Sequence, residues 1–109
     1  VEIPIQWALD DWEQYCYLPG LAEYGVIESP AKCREMWSLE LRATTSEGGC
    51  FVLTAHPFLT GRPSRALALA QVMEEAAGAP HVWVATMAQI AAHVRAQNLT
   101  PRHVTEPEI

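Results

Sequence analysis

The chain has 109 residues, half of them hydrophobic, with seven Lys and Arg against thirteen Asp and Glu and a formal charge of −6. That length allows at most one small domain with a modest core. The negative field opposes nucleic acid and anionic lipid, and no apolar run approaches the roughly 18 residues that span a bilayer, so neither is an expected partner.

Val1, Ile3, Ile5 and Trp7 alternate with Glu2, Pro4 and Gln6, a period of two that predicts a strand with one apolar face. The chain opens without Met on this mid-domain strand, so a natural start further upstream is expected. The first residues also lack the basic and apolar regions of a secretory signal, which makes the expected location cytoplasmic. Residues 16–28, with Pro19, Gly20 and Gly25, read as loop. Ser29 followed by Pro30 predicts a helix start, a capping residue and then proline at the first helical position. Cys33, Met36, Trp37 and Leu41 fall near one helical stripe that ends before Gly48 and Gly49.

The stretch from Phe51 to His56 is largely apolar on both faces, the pattern of a strand covered on two sides. A second helix is predicted over about Ser64–Ala77, with Leu69, Val72, Met73 and Ala76 inward, stopping at Gly78 and Pro80. A third strand starts at His81 and runs to Thr86. Thr86 and Gln89 have capping-box spacing for a last helix with Ile90, Ala91 and Val94 inward. Residues 1–97 therefore read as one structured unit, and 98–109, with two prolines and no period, as a loose tail.

Alternating strands and helices predict an α/β fold with parallel neighbours joined by right-handed crossovers. Three strands alone leave both sheet edges open, so the chain is expected either to form a homo-oligomer or to belong to something larger. The three cysteines, Cys16, Cys33 and Cys50, form no CxxC or zinc-finger spacing and read as reduced, small hydrophobes.

Ligands of open α/β sheets and barrels gather at the carboxyl ends of strands. His56 ends the second strand, and Asp10 and Asp11 follow the first, so the three share a predicted rim. An imidazole beside a carboxylate is oriented and stabilised as imidazolium, which suits proton transfer. The structural alternative is that His56 caps a strand and Asp10 or Asp11 caps a short helix; spacing does not separate the two. There is no GxSxG, glycine-rich phosphate loop or HExxH. Cys50 and His56 lie roughly 20 Å apart along one strand at about 3.3 Å per residue, too far for a thiolate–imidazole pair. His81, His93 and His103 show no ligand spacing. Arg62 and Arg65 flank a turn with Gly61 and Pro63, placed either to bind an anionic group or to cap carbonyls.

Three ordered segments, "VEIPIQWALDDW", "FVLTAHPFLTGRPSR" and "VWVATMAQIAAHV", together resemble the C-terminal part of the polysaccharide deacetylase (NodB homology) family. The similarity is greatest to its branch with an H-P-x-x-x-G-R-P-S-R turn, and it extends over about Val1 to Val94. It implies the C-terminal third of a distorted (β/α) TIM-like barrel, whose members hydrolyse an N-acetyl or related amide bond, usually with a divalent metal held by an Asp and two His. By position, His56 matches the late histidine, which resembles a general acid for the leaving amine. Asp10, in W-x-x-D, matches the carboxylate that tunes it, with Asp11 as the alternative. Trp7 and Trp12 match positions near the cleft, and Arg62 belongs to the same expected substrate-binding surroundings.

The family's early paired aspartates and its His-x-x-x-His-type ligand motif are absent from these residues. The resemblance therefore implies that the metal, zinc in expectation, and the catalytic base come from a missing N-terminal part of the barrel, and that this chain alone holds no metal. That N-terminal part is the expected partner, with a carbohydrate or a small amide as substrate. Two function classes follow: a chain that completes a carbon–nitrogen hydrolase, with His56 and Asp10 as one half of its acid/base machinery, or a catalytically silent carbohydrate-binding barrel. Within the first, relatives of this branch act on ureides or cyclic imides as well as on sugars, and some dispense with a metal.

Overall fold

The computed structural model describes residues 1–20 and 25–100. Part of the expected 16–28 loop and most of the expected tail thus lie outside the described residues. A 3-10 turn, Trp7–Leu9, leads into α1, Asp11–Tyr15. Then come α2, Pro30–Ser46, the single turn α3, Pro57–Thr60, α4, Pro63–Gly78, and α5, Met87–Ala96.

The helix ends follow local chemistry. Pro30 is at the first position of α2, after an extended Ser29 whose hydroxyl makes no capping bond. At the other end Gly48 adopts φ +66°, which favours glycine, while its N–H bonds Thr45 O and the Gly49 N–H bonds Thr44 O. This pair of bonds is a Schellman stop. Thr86 and Gln89 form the predicted capping box of α5, each satisfying a backbone N–H of the other.

α2 buries Cys33, Trp37 and Leu41 at intervals of four, so the three stack on one face. They join Leu9, Tyr15, Cys16, Leu59 and Val72 in one core cluster. Trp37 anchors it: the indole packs edge-on against Tyr15 at 6.2 Å and donates its N–H to the Ala8 carbonyl. Truncating a buried Trp to Ala costs about 3–5 kcal/mol, a large share of a small domain's stability. α4 packs on α2 through Ala68, Val72 and Ala76, with Arg42 and Glu75 paired at 2.5 Å across the two helices. The expected stripe is thus rotated: Val72 and Ala76 do turn inward, but Met73 is exposed.

The strands differ from expectation. Among the described residues no strand forms; residues 1–6, 51–53 and 82–86 run without regular structure, and one parallel bridge joins Asp10 to Thr54. A strand exists only where its backbone groups find a neighbour, and here Thr54 N–H reaches Leu9 O while Asp11 N–H reaches Thr54 O. The first segment then coils at Trp7–Leu9, where Leu9 and Asp10 N–H bond back to Gln6 and Trp7. Among the described residues the α/β sheet expected from the alternation is therefore represented by the Asp10–Thr54 register. The radius of gyration, 16.4 Å, exceeds the about 13 Å of a compact chain of this length. Ile5, Leu67, Met73, Trp83, Val84 and Met87 are exposed, and α5 buries none of its residues. No described helix is long and apolar enough to cross a membrane.

Candidate acid–base site

The parallel bridge sets the start of α1 against the end of the 51–56 segment, and the site forms where they meet. Asp10 is the N-cap of α1, with Oδ1 accepting from the Trp12 N–H at 2.8 Å. Asp11, the first residue inside α1, has no exposed surface. Its Oδ2 accepts the His56 backbone N–H at 2.8 Å and the Thr60 hydroxyl. Its Oδ1 faces His56 Nδ1 at 2.6 Å.

His56 occupies the N-cap position of α3 by backbone alone: its carbonyl accepts the Leu59 and Thr60 N–H groups, and its side chain makes no capping bond. The imidazole is thereby left for Asp11, with about a third, 34 %, of its side chain exposed. The hydrogen bond that Asp11 accepts from His56 holds the His56 pKa above its ordinary value; desolvation opposes it, and the charges of Asp11 and then Asp10 add to it. Trp12 and Phe58 stand edge-on to the ring at 5.5 and 5.8 Å and to each other at 6.0 Å. They wall the imidazole on its apolar sides.

The structure orders the two aspartates opposite to the sequence reading. Asp10 Oδ1 lies 3.6 Å from His56 Nδ1 and serves as a helix cap, the structural use the sequence also allowed. Asp11 makes the close pair. Trp12 joins the site, whereas Trp7 is 75 % exposed in the 3-10 turn. Arg62 is the exposed N-cap of α4, its carbonyl accepting the Ala66 N–H. Arg65 caps carbonyls, donating to Leu59 O at 3.0 Å while its guanidinium covers the Tyr15 ring at 4.4 Å. Cys16 and Cys33 are buried as expected, and Cys50 is exposed. His93 packs on Trp83, and His103 lies outside the described residues.

Thr60 and Phe58 were not singled out from the sequence. Pro57 is a proline that starts a helical turn, and a turn starting there brings residue 60 back over residue 56. That is the signal that would have found Thr60.

Asp10, Asp11 and His56 each offer a ligand atom within 4.8 Å of the others, which raises the question of a metal. Two ligands of a tetrahedral zinc, each about 2.0–2.2 Å from the ion, stand roughly 3.3 Å apart. His56 Nδ1 and Asp11 Oδ1 are at 2.6 Å, a distance that holds a proton rather than an ion. Asp11 Oδ2 already has two donors, and Asp10 Oδ1 has one. As placed, the three groups form a hydrogen-bonded acid–base site, and an ion on Nδ1 would have to displace the proton it shares with Asp11.

A larger groove of about 520 Å³, between α2 and α4, is lined by Lys32, Arg34, Glu35, Arg42 and Glu75. Arg42 pairs with Glu75 across it, Lys32 pairs with Glu28 at its edge, and no histidine lines it. A smaller apolar hollow of about 320 Å³, between Pro57, Leu69 and Met73, reaches His56.

Among solved structures, a Mycobacterium smegmatis protein described as a "putative polysaccharide deacetylase" superposes with a TM-score of 0.88 at 56 % identity, over 97 % of this chain. The chain is thus similar to a polysaccharide deacetylase over nearly all of its own length. It spans 37 % of the length of that relative. No family profile and no curated protein matches the chain. At this identity the deacetylase fold extends to the region that holds Asp11, His56 and Thr60.

Proposed function

We propose that this chain carries the acid half of a deacetylase-like hydrolase of carbon–nitrogen bonds, with His56 as general acid and Asp11 as the carboxylate that orients it. The observation that carries this reading is the 2.6 Å pair between His56 Nδ1 and a fully buried Asp11. Such a carboxylate fixes the Nδ1–H bond and favours the imidazolium, so Nε2–H, on the opposite side of the ring, becomes the proton to give. When the tetrahedral intermediate collapses, the amine nitrogen takes that proton as the C–N bond breaks. The imidazole returns to neutral with Nδ1–H still on Asp11, and Asp11 remains an anion throughout. Trp12 and Phe58 limit the water that competes for the proton.

The attack of water on the carbonyl needs a base, and neither aspartate suits that role: Asp11 is buried and fully hydrogen-bonded, and Asp10 is held as a helix cap. The base belongs to the N-terminal part of the same barrel, as does any divalent metal, zinc included. In this reading the Asp10–Thr54 bridge is the surviving contact of two adjacent barrel strands, and the exposed Ile5, Leu67, Trp83 and Val84 are surfaces that the rest of the barrel covers. The substrate is an N-acetylated carbohydrate or a small amide.

The test is His56→Ala in the complete polypeptide that carries these residues, assayed on N-acetylglucosamine oligomers and on a ureide. Turnover should fall by about 10²–10⁴-fold with a smaller change in KM, since the missing proton acts in the transition state. Full turnover on the better substrate would leave His56 a purely structural residue, whereas a wild-type polypeptide inactive on both would favour the silent-barrel reading.

A further inference from the structure

We infer that Thr60 is a positioning residue of this site: its buried hydroxyl holds the Asp11 carboxylate in the one orientation that presents Oδ1 to His56. The inference deepens the acid-catalyst reading and rests on it for its functional meaning.

Asp11 has no exposed surface, and an ionised carboxylate in such a place persists only when its lone pairs are met by donors. Two of its donors, the His56 backbone N–H and the Thr60 hydroxyl, converge on Oδ2. Both belong to the same single turn, closed by the Thr60 N–H on the His56 carbonyl at 2.9 Å. The turn therefore acts as a clip with two jaws on one oxygen. A carboxylate free to rotate about its Cβ–Cγ bond would average its two oxygens over His56; the clip removes that freedom. Oδ1 is left with Nδ1 as its hydrogen-bonding partner.

The turn is built to keep this shape. Pro57 presets its first residue, and Gly61 closes it by donating to the Pro57 carbonyl at 2.9 Å. A Cβ on Gly61 would overlap that carbonyl oxygen. Thr60 itself is 4 % exposed beside Leu59 in the core, a place where valine has the same shape and avoids burying a hydroxyl. The hydroxyl is accounted for by Asp11.

The other ionisable groups around Asp11 are His56, Asp10 and Tyr15, and the Tyr15 phenol is pushed up by burial and by the neighbouring Cys33 thiol. In the complete polypeptide, Thr60→Val should lower the His56 pKa back toward its ordinary value, because the carboxylate that holds the imidazolium loses its fixed orientation. The far-downfield His56 Nδ1–H proton signal should also weaken or vanish. Thr60→Ala, which cannot overpack, carries the same expectation, and Thr60→Ser should restore both signals. If Thr60→Val or Thr60→Ala leaves the His56 titration and the Nδ1–H signal unmoved while lowering only the melting temperature, Thr60 is a packing residue and the inference falls. Should neither variant fold, the wild type decides: a Thr60 hydroxyl proton protected from solvent exchange supports the clip, and one in fast exchange overturns it. None of these readouts uses turnover, so failure of the acid-catalyst reading leaves them distinguishable.

Discussion

Replacing Asp11 by Asn tests the site at its centre, because the change keeps the shape and removes one charge and one acceptor. The amide oxygen will keep the two donors that Oδ2 now holds, the His56 N–H and the Thr60 hydroxyl. The amide NH₂ is then turned toward His56 Nδ1, which must accept rather than donate. The imidazole is driven to its neutral form with the proton on Nε2, and its pKa falls below the raised value it has beside Asp11. General-acid function is worth about 10²–10⁴-fold. Turnover of the complete polypeptide should therefore drop at pH 7. The alkaline limb of its pH profile, where the acid loses its proton, should shift to lower pH. Asp10→Asn, at 3.6 Å and last among the causes of the His56 shift, should move that limb less. An unchanged limb in Asp11→Asn, or a larger shift in Asp10→Asn, refutes the assignment of Asp11.

Two further outcomes follow from the same geometry. The folded-state pKa of His56 lies above its unfolded value of about 6.5, so its contribution to stability is complete below that pH and is lost as pH rises through the folded pKa. Melting temperature should decline over that window in the wild type, and the decline should be absent in His56→Gln; an identical pH dependence in both would contradict the pairing. The second outcome concerns the exposed apolar residues: the 109-residue chain produced alone should bind an apolar dye and unfold without a sharp transition, and co-expression with the proposed N-terminal part should abolish both. A cooperative monomer with no affinity for that part would refute the partner, and a stable dimer would point to copies of the chain as the cover.

The helices with strong end signals were legible in the sequence, and the elements that depend on distant partners were not. Ser29–Pro30, Gly48–Gly49 and the Thr86–Gln89 box act within a few residues, so α2 and α5 begin and end near where the pattern places them. The face of α4 was harder, because Leu67, Leu69, Val72 and Met73 surround the helix with apolar side chains. The packing partner α2 selects Ala68, Val72 and Ala76. Alternating hydrophobicity at Val1–Trp7 indicated a face but not a neighbour, and hydrogen bonding there goes into a 3-10 turn.

The choice between Asp10 and Asp11 shows why the candidate site was legible as a set but not as a pair. Adjacent carboxylates have the same chemistry, and each sits beside the predicted strand end. What separates them is register: Thr54 N–H on Leu9 O and Thr54 O on Asp11 N–H place Asp10 as the last extended residue, where it caps α1. Asp11 is then the first residue of the helix, turned inward beneath His56. A slip of one residue in that bridge would exchange the faces of the two aspartates. The acid–base pair is therefore specified by one parallel contact between two segments, and by a five-residue turn, His56 to Thr60, that supplies every side chain and backbone donor Asp11 has from across that contact.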